Sequence, residues 1–551
     1  VSRLIRALRE HKIEAVAIGL MHSYTSPTHE RRLANILARE LPDVLVSLSS
    51  EVSPEIREYE RWSTTAANAY VQPLMSRYLG RLSSELVNMG FTCPLRMMTS
   101  GGGLASLETA RRFPIRLVES GPAGGAILAA RVARECGLDR VLSFDMGGTT
   151  AKICLIDDGE PQQSRSFEVA RQYRFLKGSG LPLRIPVIEM VEIGAGGGSI
   201  ARVDVLSRIH VGPESAGALP GPACYGQGGN APTVTDANVI LGRIDPDTFA
   251  GGTMTLDATL SGDVIDSDVG TALSLSTLAA AYGISEVVEE NMANAARVHA
   301  VERGKEIRGR TLVAFGGGAA LHAARLARKL NINEVIVPVA AGVGSAIGFL
   351  QAPVAYEVVR SHYTLMNQTF DAAGLNSLYA EMRAEAEEIV AKAAPGAELV
   401  ESRTADMRYH GQGHEIAVNL PAGPYGKSLR SDLTGLFETA YALTYSRRIP
   451  GQNVEVMNWT LRLSATLEDP APCPPMPGAT APEPLEMRDL FDPDTGTLST
   501  APVYRRDELI PGAEVSGPSV IVEDETTTIV LAGFTARLNA VGYIVMQWEG
   551  S

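Results

Sequence analysis

Val141-Leu142-Ser143-Phe144-Asp145-Met146-Gly147-Gly148-Thr149-Thr150-Ala151-Lys152-Ile153-Cys154-Leu155-Ile156 carries more structural information than any other stretch of this chain. One apolar run delivers a carboxylate to a Gly-Gly turn, two hydroxyls follow, and a second apolar run leaves. That pattern predicts a β-hairpin. Glycines at its tip let backbone N–H groups approach an anion, because no Cβ stands in the way. Thr149 and Thr150 offer hydroxyl donors to phosphate oxygens, and Asp145 offers a carboxylate to Mg²⁺ through a water. The same residues also suit an ordinary tight hairpin, since Gly-Gly turns between apolar strands are common.

Upstream of the hairpin the pattern alternates between helix and strand. An amphipathic helix pattern over Ser2–Glu10 leads to the short apolar run Ala15–Leu20, and a helix is expected from Ser26-Pro27, with proline at an early helical position. Residues 54–90 read as strongly helical. Leu95–Met98 reads as a strand entering Ser100-Gly101-Gly102-Gly103, and Ser120-Gly121-Pro122-Ala123-Gly124-Gly125 opens another helix. Such alternation points to an α/β fold with a mostly parallel sheet. The chain opens at Val1 in the middle of a pattern, which reads as a truncated or processed start, and its charged first turns exclude a signal peptide.

Downstream, residues 157–250 read as irregular and glycine-rich, with Gly194-Ala195-Gly196-Gly197-Gly198-Ser199 and Pro220-Gly221-Pro222-Ala223-Cys224-Tyr225-Gly226 standing out. Long loop chemistry inside a globular chain is usually functional. Helix is expected again over 278–303. Two strand–glycine–helix units follow: Thr311–Phe315 with Gly316-Gly317-Gly318, then Glu334–Pro338 with Ala341-Gly342-Val343-Gly344-Ser345. Each exposes N–H groups and the positive end of a helix dipole. From about 355 onward a helix (372–394), strands and a proline-rich linker (469–484) suggest a separate, β-rich α+β domain.

With 551 residues, 45% apolar and 20% charged, the composition is that of a globular protein of two or three domains. A net charge of −14 argues against non-specific binding to nucleic acid or anionic membrane. Five scattered cysteines without CxxC spacing indicate neither a zinc ribbon nor a disulfide framework, and fit a reducing, cytoplasmic setting.

Several familiar motifs are incomplete. Gly426-Lys427-Ser428 approaches a P-loop, but Pro421 stands where its first glycine belongs. Gly342-Val343-Gly344 lacks the third glycine of a dinucleotide fingerprint. Ser215 has Pro213 where a nucleophile elbow needs glycine. His410-Gly411-Gln412-Gly413-His414-Glu415 has zinc-like residues, yet two glycines between the histidines oppose the helix that HExxH requires. Lys152 suits either a phosphate contact or a solvated strand end. What remains is an ordered set: a phosphate hairpin, then two glycine turns at helix starts. It outlines one lobe of an actin/hexokinase-like (ribonuclease H-like) ATPase.

The chain resembles the A-type subunits of the hydantoinase/oxoprolinase family, the N-methylhydantoinase A-like proteins related to acetone and acetophenone carboxylase subunits. The resemblance rests on Glu58-Tyr59-Glu60-Arg61 with Ser63-Thr64-Thr65, Ser120-Gly121-Pro122-Ala123-Gly124, and Asp145-Met146-Gly147-Gly148-Thr149-Thr150. It continues through Pro220–Gly226, Thr233-Val234-Thr235-Asp236-Ala237-Asn238, Ala341–Gly348 and Asp524-Glu525-Thr526-Thr527-Thr528. It implies a two-lobed ATPase, here with the first lobe incomplete, divided as 1–135, 136–354 and a C-terminal domain 355–551. It also implies a cytoplasmic enzyme using ATP and Mg²⁺ with a B-type partner, either opening a cyclic amide or activating a ketone for carboxylation. Non-catalytic assembly is a further alternative.

On that resemblance, ATP phosphates are expected at Gly147, Gly148, Thr149, Thr150 and Lys152, and Mg²⁺ at Asp145. Adenosine is expected against Gly316, Gly317 and Gly318, with Gly342 and Gly344 completing the site. Asp236 and Glu119 are candidate second carboxylates, for Mg²⁺ or an attacking water, or else buried hydrogen-bonded acids. Family members begin with a further Asp-x-Gly-Gly-Thr-x-Thr-Asp hairpin that this sequence does not contain. Thr99-Ser100-Gly101-Gly102 and Gly318-Ala319-Ala320 also depart from the family pattern, near the expected cleft.

Overall fold

The computed structural model describes the chain except residues 171, 173–177, 367–369, 427–428, 469, 476–477 and 551. Lys427 and Ser428 of the incomplete P-loop, and parts of the 469–484 linker, therefore lie outside the described residues. The chain forms a mixed α/β fold that divides into two compact units, each assembled from three segments. One contains 1–123, 163–187 and 352–468; the other contains 124–162, 188–351 and 469–551. This differs from the three-part division expected from sequence, most clearly in splitting 355–551 between the units.

The second unit is organised on a ten-stranded sheet. Its main path runs Val191–Ile193, Ala151–Asp157, Arg140–Met146, Thr311–Phe315, Glu334–Val337, Ile544–Trp548, Phe534–Leu538, Ala513–Ser516, Ala479–Thr480. Thr311–Phe315 is parallel to both Arg140–Met146 and Glu334–Val337. Apolar residues on both faces fit this central position: Val141, Leu142, Phe144, Leu312, Val313 and Val335 are buried. The C-terminal strands join antiparallel through Glu334–Val337 and Ile544–Trp548, and the proline-rich segment itself contributes the edge strand Ala479–Thr480. Strands Ala479–Thr480, Ala513–Ser516, Phe534–Leu538 and Ile544–Trp548 thus extend this sheet, while Glu486–Asp492, Thr497–Arg505, Ser519–Val522 and Thr527–Val530 form a second, four-stranded one. Period-2 patterning identifies such segments as strands but leaves their pairing partner open.

The 157–250 region is also more regular than expected. It contains strands Gln163–Val169, Leu181–Ile188, Val191–Ile193, Ser199–Val203 and Ile209–Ser215, and the helix Val234–Ile240. In Leu181–Ile188, Leu183, Ile185 and Val187 alternate into a small core, while Pro182 and Pro186 disguise the strand as loop.

In the first unit, Ala355–Leu365, Val454–Ala465, Leu399–Tyr409 and Ile416–Leu420 form an antiparallel sheet. Helices Ala372–Ala393 and Leu429–Tyr445 bury Tyr379, Phe437 and Tyr441 with Trp459 and Tyr409 of this sheet in one aromatic-rich core. The helix Glu58–Asn88 carries the Glu-Tyr-Glu-Arg motif. Its Arg61 is fully buried, donating to Ser49 Oγ, to the Glu55 and Leu20 carbonyls and to Glu58 Oε1. Spreading a buried guanidinium over four acceptors is what makes its burial tolerable. Among the described residues no single helix is long and apolar enough to cross a membrane.

Candidate nucleotide site

Every element of the phosphate-binding pattern except Glu119 falls in the second unit. Strands Arg140–Met146 and Ala151–Asp157 pair antiparallel, and Gly147 N–H donates to Thr150 O at 3.1 Å to close the tip. No atom lies within 4 Å of where a Cβ would stand on Gly147 or Gly148, so both backbones border open space. Gly148 and Thr149 are exposed.

The tip is held from behind by the triple glycine of 194–199. Gly197 and Gly198 N–H groups donate to the Gly147 and Gly148 carbonyls at 3.0 and 2.7 Å. A Cβ on Gly196 would stand 2.5 Å from Thr149 N, so only glycine allows this approach. Thr235 then fixes the loop: its N–H and hydroxyl both donate to Gly197 O, at 2.8 and 2.9 Å. Asp236 is fully buried in a capping box at the start of Val234–Ile240. Its two oxygens accept from the N–H groups of Ala223, Cys224 and Thr233 and from the hydroxyls of Thr233 and Ser261. Five donors occupy this carboxylate, the geometry of its reading as a hydrogen-bonded loop acid. The sequence spacing Thr-x-x-Asp was the available sign of that cap.

Asp145 lies directly beside Phe315 in the parallel register, where two strands end together. Ser345 Oγ donates to its Oδ2 at 3.0 Å. Burial pushes the Asp145 carboxyl above its ordinary pKa, against the opposing influence of Ser345 and the Lys152 charge. Lys152, opposite Asp145 on the next strand, also meets Glu192 at 3.4 Å. Ser345 was not singled out from sequence, although it sits inside the Ala341–Gly348 motif.

Gly316 adopts φ +93°, and its N–H donates to Ala341 O at 2.7 Å. A Cβ here would stand 2.5 Å from Met146 O and 2.6 Å from Asp145 Oδ1. Gly318 N–H donates to Met146 O at 2.9 Å, fastening this turn to the hairpin strand. Thr526 Oγ1 donates to Gly317 O at 3.1 Å, so the Asp524–Thr528 motif returns to the same turn from 209 residues away in sequence. Gly342 and Gly344, expected to complete the site, are both closely packed. Added Cβ atoms would lie 2.3 Å from Glu525 Cβ and 2.9 Å from Leu128 and Phe315, respectively. Helix Gly344–Gln351 also crosses helix Ser120–Cys136 at a Gly348–Gly124 contact that leaves no space for side chains.

Glu119 belongs to the first unit and takes φ +58°, in the left-handed region, immediately before helix Ser120–Cys136. No group of three or more His, Cys, Asp or Glu capable of holding a metal occurs among the described residues. A single carboxylate nonetheless suits Mg²⁺ bound together with nucleotide, because phosphate oxygens and waters fill its other positions. Asp145 beside open glycine backbone fits that donor set.

The second unit also buries a charged network behind the site. Arg243 donates to Asn238 Oδ1, Ser285 Oγ and Glu289 Oε1, and His322 Nδ1 lies 2.8 Å from Glu289 Oε1. Burial opposes the Glu289 charge, yet Arg243 and His322 bring its pKa down to about 2. Burial lowers the His322 pKa. The network ties Asn238, two residues after Asp236, to the helix that follows the Gly316–Gly318 turn.

These elements give a mixed α/β unit with an open glycine hairpin, an adjacent carboxylate and two buttressing glycine turns. The chain belongs to the hydantoinase/oxoprolinase family: its sequence matches the Hydantoinase/oxoprolinase model over 61–358, the N-terminal region over 1–41 and the C-terminal domain over 366–546. It is 34% identical to the caprolactamase subunit alpha of Pseudomonas jessenii, over 96% of this chain and 76% of that one. The crystal structure of the ATP-dependent caprolactamase from that organism superposes with a TM-score of 0.86 at 32% identity, covering 100% of this chain and 80% of that one. A nucleotide-free acetone carboxylase, described in a study of ATP-dependent acetone carboxylation, gives 0.78 at 27% identity, covering 99% and 78%.

Proposed function

We propose that this chain is the nucleotide-binding subunit of an ATP-dependent enzyme that opens a cyclic amide of the hydantoin or 5-oxoproline type, working with a B-type partner. The observation that carries this reading is Asp145, placed between the open Gly147–Gly148 tip and the Gly316 turn. The strand order, with Ala151–Asp157 antiparallel to its neighbours, supports an actin/hexokinase-like lobe.

The N–H groups of Gly148, Thr149 and Thr150 and the two threonine hydroxyls would receive the ATP phosphates beside the open Gly147 backbone, with Lys152 adding positive charge nearby. Asp145 would hold Mg²⁺, whose charge offsets that of the transferring phosphoryl group. Gly316–Gly318 would face the adenosine. An unstrained amide resists water because resonance protects its carbonyl. Moving the γ-phosphoryl group to the amide oxygen releases ADP and leaves an imidate-like ester. Water then adds to that carbon, the ring C–N bond breaks as the nitrogen takes a proton, and a second water hydrolyses the resulting acyl phosphate to the free acid and phosphate. The residues described here serve the first of these steps, by positioning and charge neutralisation.

A ketone carboxylase is the second reading, supported by a likeness to an acetone carboxylase chain that covers 99% of this chain and 78% of that one. There the phosphoryl group would go to an enolate oxygen. Nucleotide turnover by the full-length chain with its partner distinguishes the two. ADP formed only with a lactam, hydantoin or 5-oxoproline, alongside the ring-opened acid, supports the amidohydrolase. Turnover requiring acetone or acetophenone plus bicarbonate overturns it in favour of the carboxylase.

A further inference from the structure

Cys136 ends the helix Ser120–Cys136, and Cys473 lies in the proline-rich segment 470–475. Four of those six residues are proline, so only Ala471 and Cys473 carry an N–H. The Cys473 N–H donates to the Glu135 carbonyl at 2.7 Å. With standard backbone dimensions, this bond holds the two cysteine Cα atoms within about 7 Å. Disulfides span about 4.4–6.8 Å between Cα atoms, so this backbone spacing is compatible with one. Both cysteines are free and half-buried.

We propose that Cys136 and Cys473 are a reversible disulfide site that fastens the 470–475 segment to the end of this helix. The oxidant is a low-molecular-weight disulfide. The Cys473 thiolate attacks one of its sulfurs and expels a thiolate, leaving a mixed disulfide. Cys136 loses its proton and attacks the Cys473 sulfur, expelling the second thiolate. Two protein thiols are oxidised, and one small disulfide is reduced to two thiols. Burial, with the nearby Cys473 and acidic groups, pushes the Cys136 thiol up to about 12. Closure should therefore accelerate as pH rises.

The test is peptide mapping of the full chain after incubation with oxidised glutathione, without reduction. Trypsin should release Glu135–Arg140 joined to Leu463–Arg488, separable by dithiothreitol and missing from Cys136→Ser and Cys473→Ser. The exposed Cys93 serves as an accessibility control. Persistent glutathione on Cys473 with Cys136 free would overturn the proposal. So would two unmodified thiols in a sample whose Cys93 has reacted. Mapping of the unsubstituted chain decides the matter even where a variant does not fold.

Discussion

Two glycine turns border Asp145, and they differ in what stands where a side chain would begin. At Gly147 and Gly148 that space is empty, whereas at Gly316 it holds Met146 O and Asp145 Oδ1. Across Gly342 and Gly344 it holds Glu525, Leu128 and Phe315. The first turn uses glycine to leave backbone accessible, and the second uses it to bring three chain segments into contact around one carboxylate. Substitution should therefore cost ligand affinity in one turn and stability in the other.

The largest effect is expected at the carboxylate both turns share. Asp145→Asn should reduce substrate-dependent nucleotide turnover by about 10³-fold or more. Its folded pKa is raised, so the folded state binds more protons than the unfolded one between the two pKa values. The ionised carboxyl therefore costs stability, a cost absent below the unfolded pKa and complete above the folded one. Asp145→Asn should then keep or raise the melting temperature at neutral pH, and a marked fall would show that the carboxylate holds the fold together.

Gly316→Ala comes next, combining a left-handed backbone with two close contacts. It should cost about 2–4 kcal/mol in denaturant unfolding. Gly342→Ala should cost about 1–3 kcal/mol, partly recovered in combination with Glu525→Gly, which removes the nearest obstructing atom. Additive effects of the two changes would dissolve the packing explanation.

Gly148→Ala supplies the contrast. Unfolding should change by no more than about 0.5 kcal/mol, while nucleotide affinity falls about tenfold. The converse result would erase the distinction between the turns. The smallest change is expected for Ser345→Ala. Losing this donor should raise the Asp145 pKa further, moving the acid limb of the pH–activity profile upward, with about a threefold loss of turnover at neutral pH.

The hairpin at 141–156 was legible because its signals are local: two apolar runs, one acid and a glycine pair within sixteen residues. The strand–glycine–helix units at 311–351 were legible for the same reason. What escaped was contact at long sequence separation. Nothing near Gly342 announces that Glu525 will occupy its missing Cβ position, and nothing near Ala479 announces an edge strand. Pro182 and Pro186 concealed a strand whose alternation at Leu183, Ile185 and Val187 was present throughout. Asp236 shows the remaining difficulty: an acid in a marked motif looks the same whether its oxygens face a ligand or five internal donors.

The chain passes between its two units at 123/124, 162/163, 187/188, 351/352 and 468/469. No continuous stretch of gene therefore encodes either unit, and excising one as a fragment severs the other. Recombination within this family should find its permissible breakpoints elsewhere, and a dissected version would need three pieces brought back together for every half.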